Sequence, residues 1–451
     1  MNFIFITISF FFIVNFSTAQ SSDNDSLKLK WQLLKLNNGL RVLLQPDLTQ
    51  KEVSVEFWIH TGAKDERPGM HGFAHFFEHA TPYGLQYDSN LLKKFYALRT
   101  NSNAQTRKDY TRYFVQMKPE GLALALKYTA DRLQAGDALF QDSMIEKHRT
   151  NVLNEMKRQA ANPLSDPEAT GVREAATFGK DHVYGHSTYG TINENDDFST
   201  SDVKNWYAKN FFAGNMILFI VGNFDTKEIK PLVEKEFGTV TKKGTTPSKK
   251  EYLKKTSAQS HALITPTPLH HLSLTWMIPG YGSKTQPVFS LMARVIEDRL
   301  TNRQLPAIEK TGSNDLLSFY ASAGCFGLYA TFSDIRDSSI IENHLRSIIK
   351  EIVQEGISEE ELLKAKQSML NSIHHSLEKL GFIGSRTELL GEGLIFTNDP
   401  GYYYKMIQKV NKKNIKDIQQ TTAKWLKNDG ARVLSISKEK ITPTDPGCDR
   451  R

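Results

Sequence analysis

Cysteine is nearly absent. The 451-residue chain has two, Cys325 in an apolar, strand-like run and Cys448 in a polar tail. An exported protein stapled by disulfides would carry several, so no structural bridge is expected and the core must supply the stability. Charge of one sign is also scarce. Lys and Arg outnumber Asp and Glu by 57 to 50, a formal net charge of +7. The visible basic pairs, Lys242-Lys243, Lys249-Lys250 and Lys254-Lys255, fall in one Gly/Thr/Pro/Ser-bearing segment, read as a solvated linker over residues 241–256. There is no basic stripe with interleaved aromatics, so no nucleic-acid partner is expected. Long apolar runs are missing except at the start. Residues 3–16 are almost wholly apolar, and Ser17-Thr18-Ala19 before Gln20 puts small residues where a leader peptidase would cut. That run is shorter than the about 20 residues of a membrane span. Residues 1–20 therefore read as a signal peptide and the protein as exported, periplasmic or extracellular; an uncleaved anchor is the alternative, because no Lys or Arg precedes the run. The remainder is too long for one compact core and predicts at least two domains.

What is present is chemistry around His71-Gly72-Phe73-Ala74-His75-Phe76-Phe77-Glu78-His79-Ala80. On a helix, His75 and His79 lie one turn apart on one face, as a pair of imidazole ligands requires, and Glu78 sits beside them. A carboxylate next to two nitrogen ligands suits a site where a metal polarises water and a base deprotonates it. The order is H-x-x-E-H, the inverted form of the common zinc-peptidase motif. Taken alone, such a short pattern also fits two histidines on a half-buried helix. A catalytic zinc normally takes three protein ligands, and Glu155 is placed to be the third. It lies in residues 142–161, where Met144, Ile145, Val152, Leu153 and Met156 mix with charges in a helical rhythm.

At these residues the chain resembles the pitrilysin/insulinase zinc peptidases, which include the mitochondrial processing peptidases. The resemblance continues in Asn103-Ala104-Gln105-Thr106, similar to the family's N-A-x-T edge strand, in Tyr184-Gly185 and in residues 215–224. It implies one Zn2+ per chain bound by His75, His79 and Glu155, with Glu78 as catalytic base and Asn103, Ala104 and Thr106 in substrate binding. The chain departs from the family at His148, where a further glutamate is common. His148 faces the same way as Glu155, two turns earlier; a role beside the metal is one reading and a solvated surface histidine the other. The resemblance further implies a chamber of four similar modules that closes over peptides or unfolded polypeptide. Two modules per chain then call for a dimer. The family's arginine and tyrosine in R-x-x-x-Y align with residues 313–317, where neither matches, with Tyr320 nearby. A heterodimer with a related inactive subunit is therefore expected, or a homodimer.

The expected fold class is α+β, two similar modules of mostly antiparallel sheet packed with helices, related by duplication. The modules are placed at residues 28–240, which bind zinc, and 257–440, which do not, followed by a polar tail at 441–451. In the first, a hairpin is expected around Asn37-Asn38-Gly39, a strand over 53–61, one long strand over 103–117, and helices over 119–135 and 142–161. Residues 169–189 read either as irregular chain or as short helices. Helices over 203–212 and 225–237 flank a strand at 216–221. In the second, a strand run over 319–332 precedes a helix over 340–356 and another opened by a capping box at Ser358. The repeat shows in residues 272–278, which match 53–59. The same offset sets Arg294, Glu297 and Asp298 opposite His75, Glu78 and His79, so only the first half should bind zinc. His374 and His375 are neighbours on a helix, diverge in direction and read as surface residues. The function expected is that of a zinc-dependent metalloendopeptidase; a non-catalytic assembly or binding subunit of a peptidase complex is the alternative.

Overall fold

The computed structural model describes residues 27–80, 89–134, 140–241, 259–426 and 430–440. The expected leader, nearly all of the basic linker, and the tail with Cys448 lie outside the described residues. Two sheets organise the chain. The first contains β1 (Gln32–Lys35), β2 (Arg41–Pro46), β3 (Val53–Ile59), β4 (Arg99–Thr106), β5 (Thr111–Met117) and β6 (Met216–Gly222) in the order β1-β2-β6-β3-β5-β4. The second contains β7 (Ser260–Thr265), β8 (His270–Pro279), β9 (Ile308–Gly312), β10 (Ser318–Phe319), β11 (Ala323–Phe332) and β12 (Ala431–Ser437) in the order β10-β11-β8-β12-β7, with β9 also on β11. Pairing is antiparallel apart from β2 with β6 and β7 with β12. Helices pack on both sheets, so the fold is α+β with two modules. No described helix is long and apolar enough to cross a membrane.

Both faces of β3 are covered, which is why its whole run Val-Ser-Val-Glu-Phe-Trp-Ile is buried. Val53, Val55, Phe57 and Ile59 enter the core of the first module. Trp58 points the other way, into the core shared with the second module. There the helix Arg386–Thr397 lies on the first sheet so closely that a Cβ on Gly391 would be 2.7 Å from the Trp58 ring. Phe382 stacks on Phe114 at 4.8 Å, Arg112 meets Glu388 at 2.9 Å, and Arg386 meets Asp47 at 2.7 Å. The first half reciprocates. Its helix Pro167–Phe178 packs on β7, β8 and β12, and the hydroxyls of Thr177 and Thr275 are 2.6 Å apart. The offset that aligns β3 with β8 also carries Pro167–Phe178 onto Arg386–Thr397, so the duplicated halves exchange equivalent helices. A buried aromatic such as Trp58 contributes about 4–6 kcal/mol by area, an upper figure.

Three expectations need correction. Residues 103–117 form two strands, because the chain turns at residues 107–110, where Arg107 N–H donates to the Tyr110 carbonyl at 2.8 Å. The charged pair Lys108-Asp109 interrupts the run there, and Asp109 accepts from Tyr184 Oη and from Ala321 N–H of the second half. Residues 167–178 are one regular helix, opened by Asp166 accepting from Glu168 N–H with Pro167 in the first turn. The helix expected at 340–356 runs Ser338–Gln354. The hairpin at Asn37-Asn38-Gly39 forms, with Gly39 at φ +96°, and the Ser358 capping box is present. Cys325 is a free thiol.

Candidate metal centre

The helix Phe73–Ala80 carries the motif. It starts where Gly72 takes φ +89°, and Glu66 accepts from Gly72 N–H at 2.9 Å and Ala74 N–H at 2.7 Å, placing a carboxyl at the helix N-terminus. Phe73, Phe76 and Phe77 face the core: Phe73 and Phe76 meet Phe198, and Phe77 meets Phe211. That orientation turns His75, Glu78 and His79 toward the crossing helix Asp142–Gln159, which buries Ile145, Val152 and Met156 and presents Glu155.

The expected ligands come together. His79 Nε2 is 3.2 Å from Glu155 Oε2, and His75 Nε2 is 3.7 Å from Glu155 Oε1. One donor atom from each of His75, His79 and Glu155 lies within 4.8 Å of the others, the one group of this kind among the described residues. Two imidazoles and one carboxylate make a donor set suited to zinc. His75 Nδ1 is buried with no hydrogen-bond partner among the described residues. The residues fit a divalent ion, and their charges show what such an ion would meet. Burial, then the neighbouring His79, lowers the His75 pKa to about 4. Burial also opposes charge on His79, but its bond to Glu155 and the two nearby carboxylates outweigh this and raise its pKa. The bond from His79 leads in holding Glu155 down at about 2.

Glu78 stands outside that set. It is 8% exposed, and its Oε2 accepts from Thr106 Oγ1 at 2.7 Å. Burial pushes its pKa up to about 7, against the pull of the Thr106 hydroxyl. Thr106 therefore turns inward to the motif, while Asn103 is exposed and Ala104 half-buried on β4, the outer strand of its sheet. The Ala104 N–H bonds the Asn103 side chain at 2.9 Å. His148 is not a solvated surface residue: it is 6% exposed, its Nε2 has no partner among the described residues, and burial followed by His79 lowers its pKa to about 4. The hydroxyl of Tyr189, which the motif does not reveal, donates to Glu155 Oε1 at 3.1 Å. Tyr320 packs on Tyr184 at 4.7 Å and lines a cavity of about 320 Å³ between the halves, with Arg107, Tyr110, Tyr281 and Glu392.

The second module holds a degenerate copy. Ser313 Oγ donates to the Ala293 carbonyl at 2.7 Å and lies 3.4 Å from Glu297, as Thr106 Oγ1 reaches the Ala74 carbonyl at 3.4 Å and Glu78. Glu297 also accepts from the N–H groups of Ser313 and Asn314, at 2.6 and 3.1 Å. Arg294 and Asp298 stand where the first copy has imidazoles. His374 and His375 are exposed on their helix.

Comparison with known families decides the relationship. Residues 41–191 match Insulinase (Peptidase family M16), and residues 197–369 match the Peptidase M16 inactive domain. The chain belongs to the insulinase peptidase family. It is 23% identical over 367 residues to an uncharacterized zinc protease of Bacillus subtilis (strain 168), covering 79% of this chain and 87% of that one. It is 24% identical over 416 residues to the mitochondrial-processing peptidase subunit beta of Saccharomyces cerevisiae, covering 84% and 86%. A protease from Helicobacter pylori has the same fold, with TM-score 0.80 at 17% identity over 91% of this chain and 100% of that one. The insulinase-family relatives support a peptidase-like function and a zinc-dependent chemistry for the chain.

Proposed function

We propose that the chain is an exported zinc-dependent metalloendopeptidase that hydrolyses peptides or unfolded protein segments, with its zinc-binding module in residues 28–240. The observation that carries this reading is the convergence of His75, His79 and Glu155 within 4.8 Å, with Glu78 beside them but tied to Thr106. His75, His79 and Glu155 would hold one zinc, which when bound supplies a positive charge that polarises water and the scissile carbonyl. Glu78 is the proton carrier. With Oε2 anchored by Thr106, its other oxygen takes the proton of the attacking water and later delivers it to the leaving amine. The buried helix face around Phe73, Phe76 and Phe77 keeps this carboxylate in register with the ligands. An extended substrate would add to β4 through main-chain hydrogen bonds, with Asn103 and Ala104 alongside it.

Ser313 binds Glu297 and Tyr320 packs on Tyr184 between the halves, and residues 313–317 hold neither an arginine nor a tyrosine. This supports a dimer in which a related inactive subunit, or a second copy, completes the cleft. Residues 3–16 support export. The test is to purify the exported chain, sequence its N-terminus, measure its zinc content, and assay cleavage of an unfolded peptide alone and with a co-expressed relative. One zinc per chain with cleavage supports the reading. Zinc uptake without cleavage in either arrangement assigns the chain to the non-catalytic assembly role.

A further inference from the structure

We infer that Tyr189 is a positioning residue for the metal centre: its hydroxyl fixes the Glu155 carboxylate and its ring fixes His75, joining the two helices that carry the ligands. The inference rests on the metal reading above. Tyr189 Oη donates to Glu155 Oε1 at 3.1 Å, and its ring stands edge-on to the His75 imidazole, with centroids 4.7 Å apart and planes at 70°. Among the described residues, Tyr189 and the prospective ligand His79 are the side chains that donate to Glu155. A glutamate needs this help. Its side chain turns about three bonds, the last with a broad torsional preference, and Glu155 is 23% exposed at the side chain. A charge-assisted bond from a phenol removes most of that freedom before any ion arrives.

Tyr189 can act as a reference point because its own backbone is locked to the residues that precede the motif helix. A Cβ on Gly190, at φ +66°, would be 1.8 Å from the His71 carbonyl oxygen, and one on Gly72 would be 2.2 Å from the Tyr189 carbonyl oxygen. Two glycines thus permit a backbone approach that any side chain would block. The buried Asn195 donates to the Tyr189 carbonyl at 2.9 Å, and Glu194 accepts from His71 N–H at 3.1 Å. The segment 187–195 is thereby fastened to the start of one ligand-bearing helix while its tyrosine holds the carboxylate of the other.

The test titrates zinc(II) against a competing chelator in the full chain, for wild type, Tyr189→Phe and Tyr189→Leu, with melting of the metal-free proteins as a folding control. Tyr189→Phe keeps the ring on His75 and should weaken zinc binding about 10- to 100-fold, the usual cost of losing a hydrogen bond to a ligand. Tyr189→Leu should weaken it further. A merely structural role is separated by repeating Tyr189→Phe in a Glu155→Ala background, where the hydroxyl has no carboxylate left to hold and the additional change should be under about twofold. Equal zinc affinity in wild type and Tyr189→Phe overturns this inference alone, as does a penalty that persists unchanged in the Glu155→Ala background. A wild-type chain that takes up no zinc overturns the metal reading and this inference together.

Discussion

Glu78→Gln is the perturbation that tests the proposed chemistry most directly. Gln has nearly the shape of Glu, and its amide oxygen can still accept from Thr106 Oγ1, the bond now 2.7 Å long. The buried surroundings lose a group whose pKa lies at about 7, so no strongly stabilised charge is removed from the fold. His75, His79 and Glu155 are untouched, and zinc should remain bound. What disappears is the oxygen that accepts the water's proton. General-base catalysis is typically worth 10² to 10⁴ in rate, or about 3–5 kcal/mol at 1.36 kcal/mol per factor of ten. The assay is single-turnover cleavage of a quenched fluorescent peptide by zinc-loaded protein, with metal content measured on the same sample. Wild-type metal content with a rate within about tenfold of wild type would refute the assignment of Glu78 as base.

Three further outcomes are expected. Glu155→Gln removes the negative charge at constant size and should weaken zinc retention by roughly one to two orders of magnitude in chelator competition; unchanged affinity would exclude Glu155 as a ligand. Arg112→Met leaves Glu388 between the halves with Arg107 at 3.9 Å as its remaining cation and should cost up to about 3–5 kcal/mol in denaturant unfolding, while adding Glu388→Met should show a coupling of about 0.5–3 kcal/mol; strictly additive losses would mean the 2.9 Å pair does not act as one. Burial pushes the Glu66 pKa from 4.5 up to about 8. A raised carboxyl pKa contributes stability that is present below about pH 4.5 and lost as pH rises through about 8, so melting of Glu66→Gln should fall less between pH 5 and 8 than that of wild type, and identical slopes would contradict the assignment.

The candidate metal centre is legible because its residues lie at helical spacing. His75, Glu78 and His79 need only one short helix to share a side, and Glu155 needs one crossing helix with an evident apolar rhythm. Thr106 shows the limit. The resemblance implies substrate binding for it; what the sequence does not show is that its hydroxyl donates to Glu78, a contact set by how β4 meets the motif helix. Tyr189 lay in a glycine-punctuated stretch with no periodicity, and only the close approach of Gly72 and Gly190 brings it to Glu155. The turn at residues 107–110 was hidden by strand-forming residues on both sides, although Lys108-Asp109 stood in the middle. Asp166-Pro167 was a helix-start signal that could have resolved residues 167–178. The exchange of helices between halves had no local signature at all, since Gly391 beneath Trp58 has meaning only once both sheets exist.

That exchange gives the second module a part in the molecule that needs no metal of its own. The second copy keeps the carboxylate clamp of Glu297 on the Ser313 hydroxyl and on the N–H groups of Ser313 and Asn314, but has Arg294 and Asp298 in place of imidazoles. Its larger contribution is cover for the first sheet. Leu43, Trp58, Ile217, Phe219 and Val221 all face the shared core, under Leu390, Leu394 and their neighbours. Exposing five such side chains at roughly 1.5–3 kcal/mol each would remove about 8–15 kcal/mol, as much as the whole stability of a typical domain. A fragment of residues 27–241 should therefore fail to fold cooperatively and should bind a hydrophobic dye, even though it contains His75, Glu78, His79 and Glu155. A soluble fragment that melts in one sharp transition and takes up zinc as tightly as the full chain would show that the second half is dispensable for the metal centre.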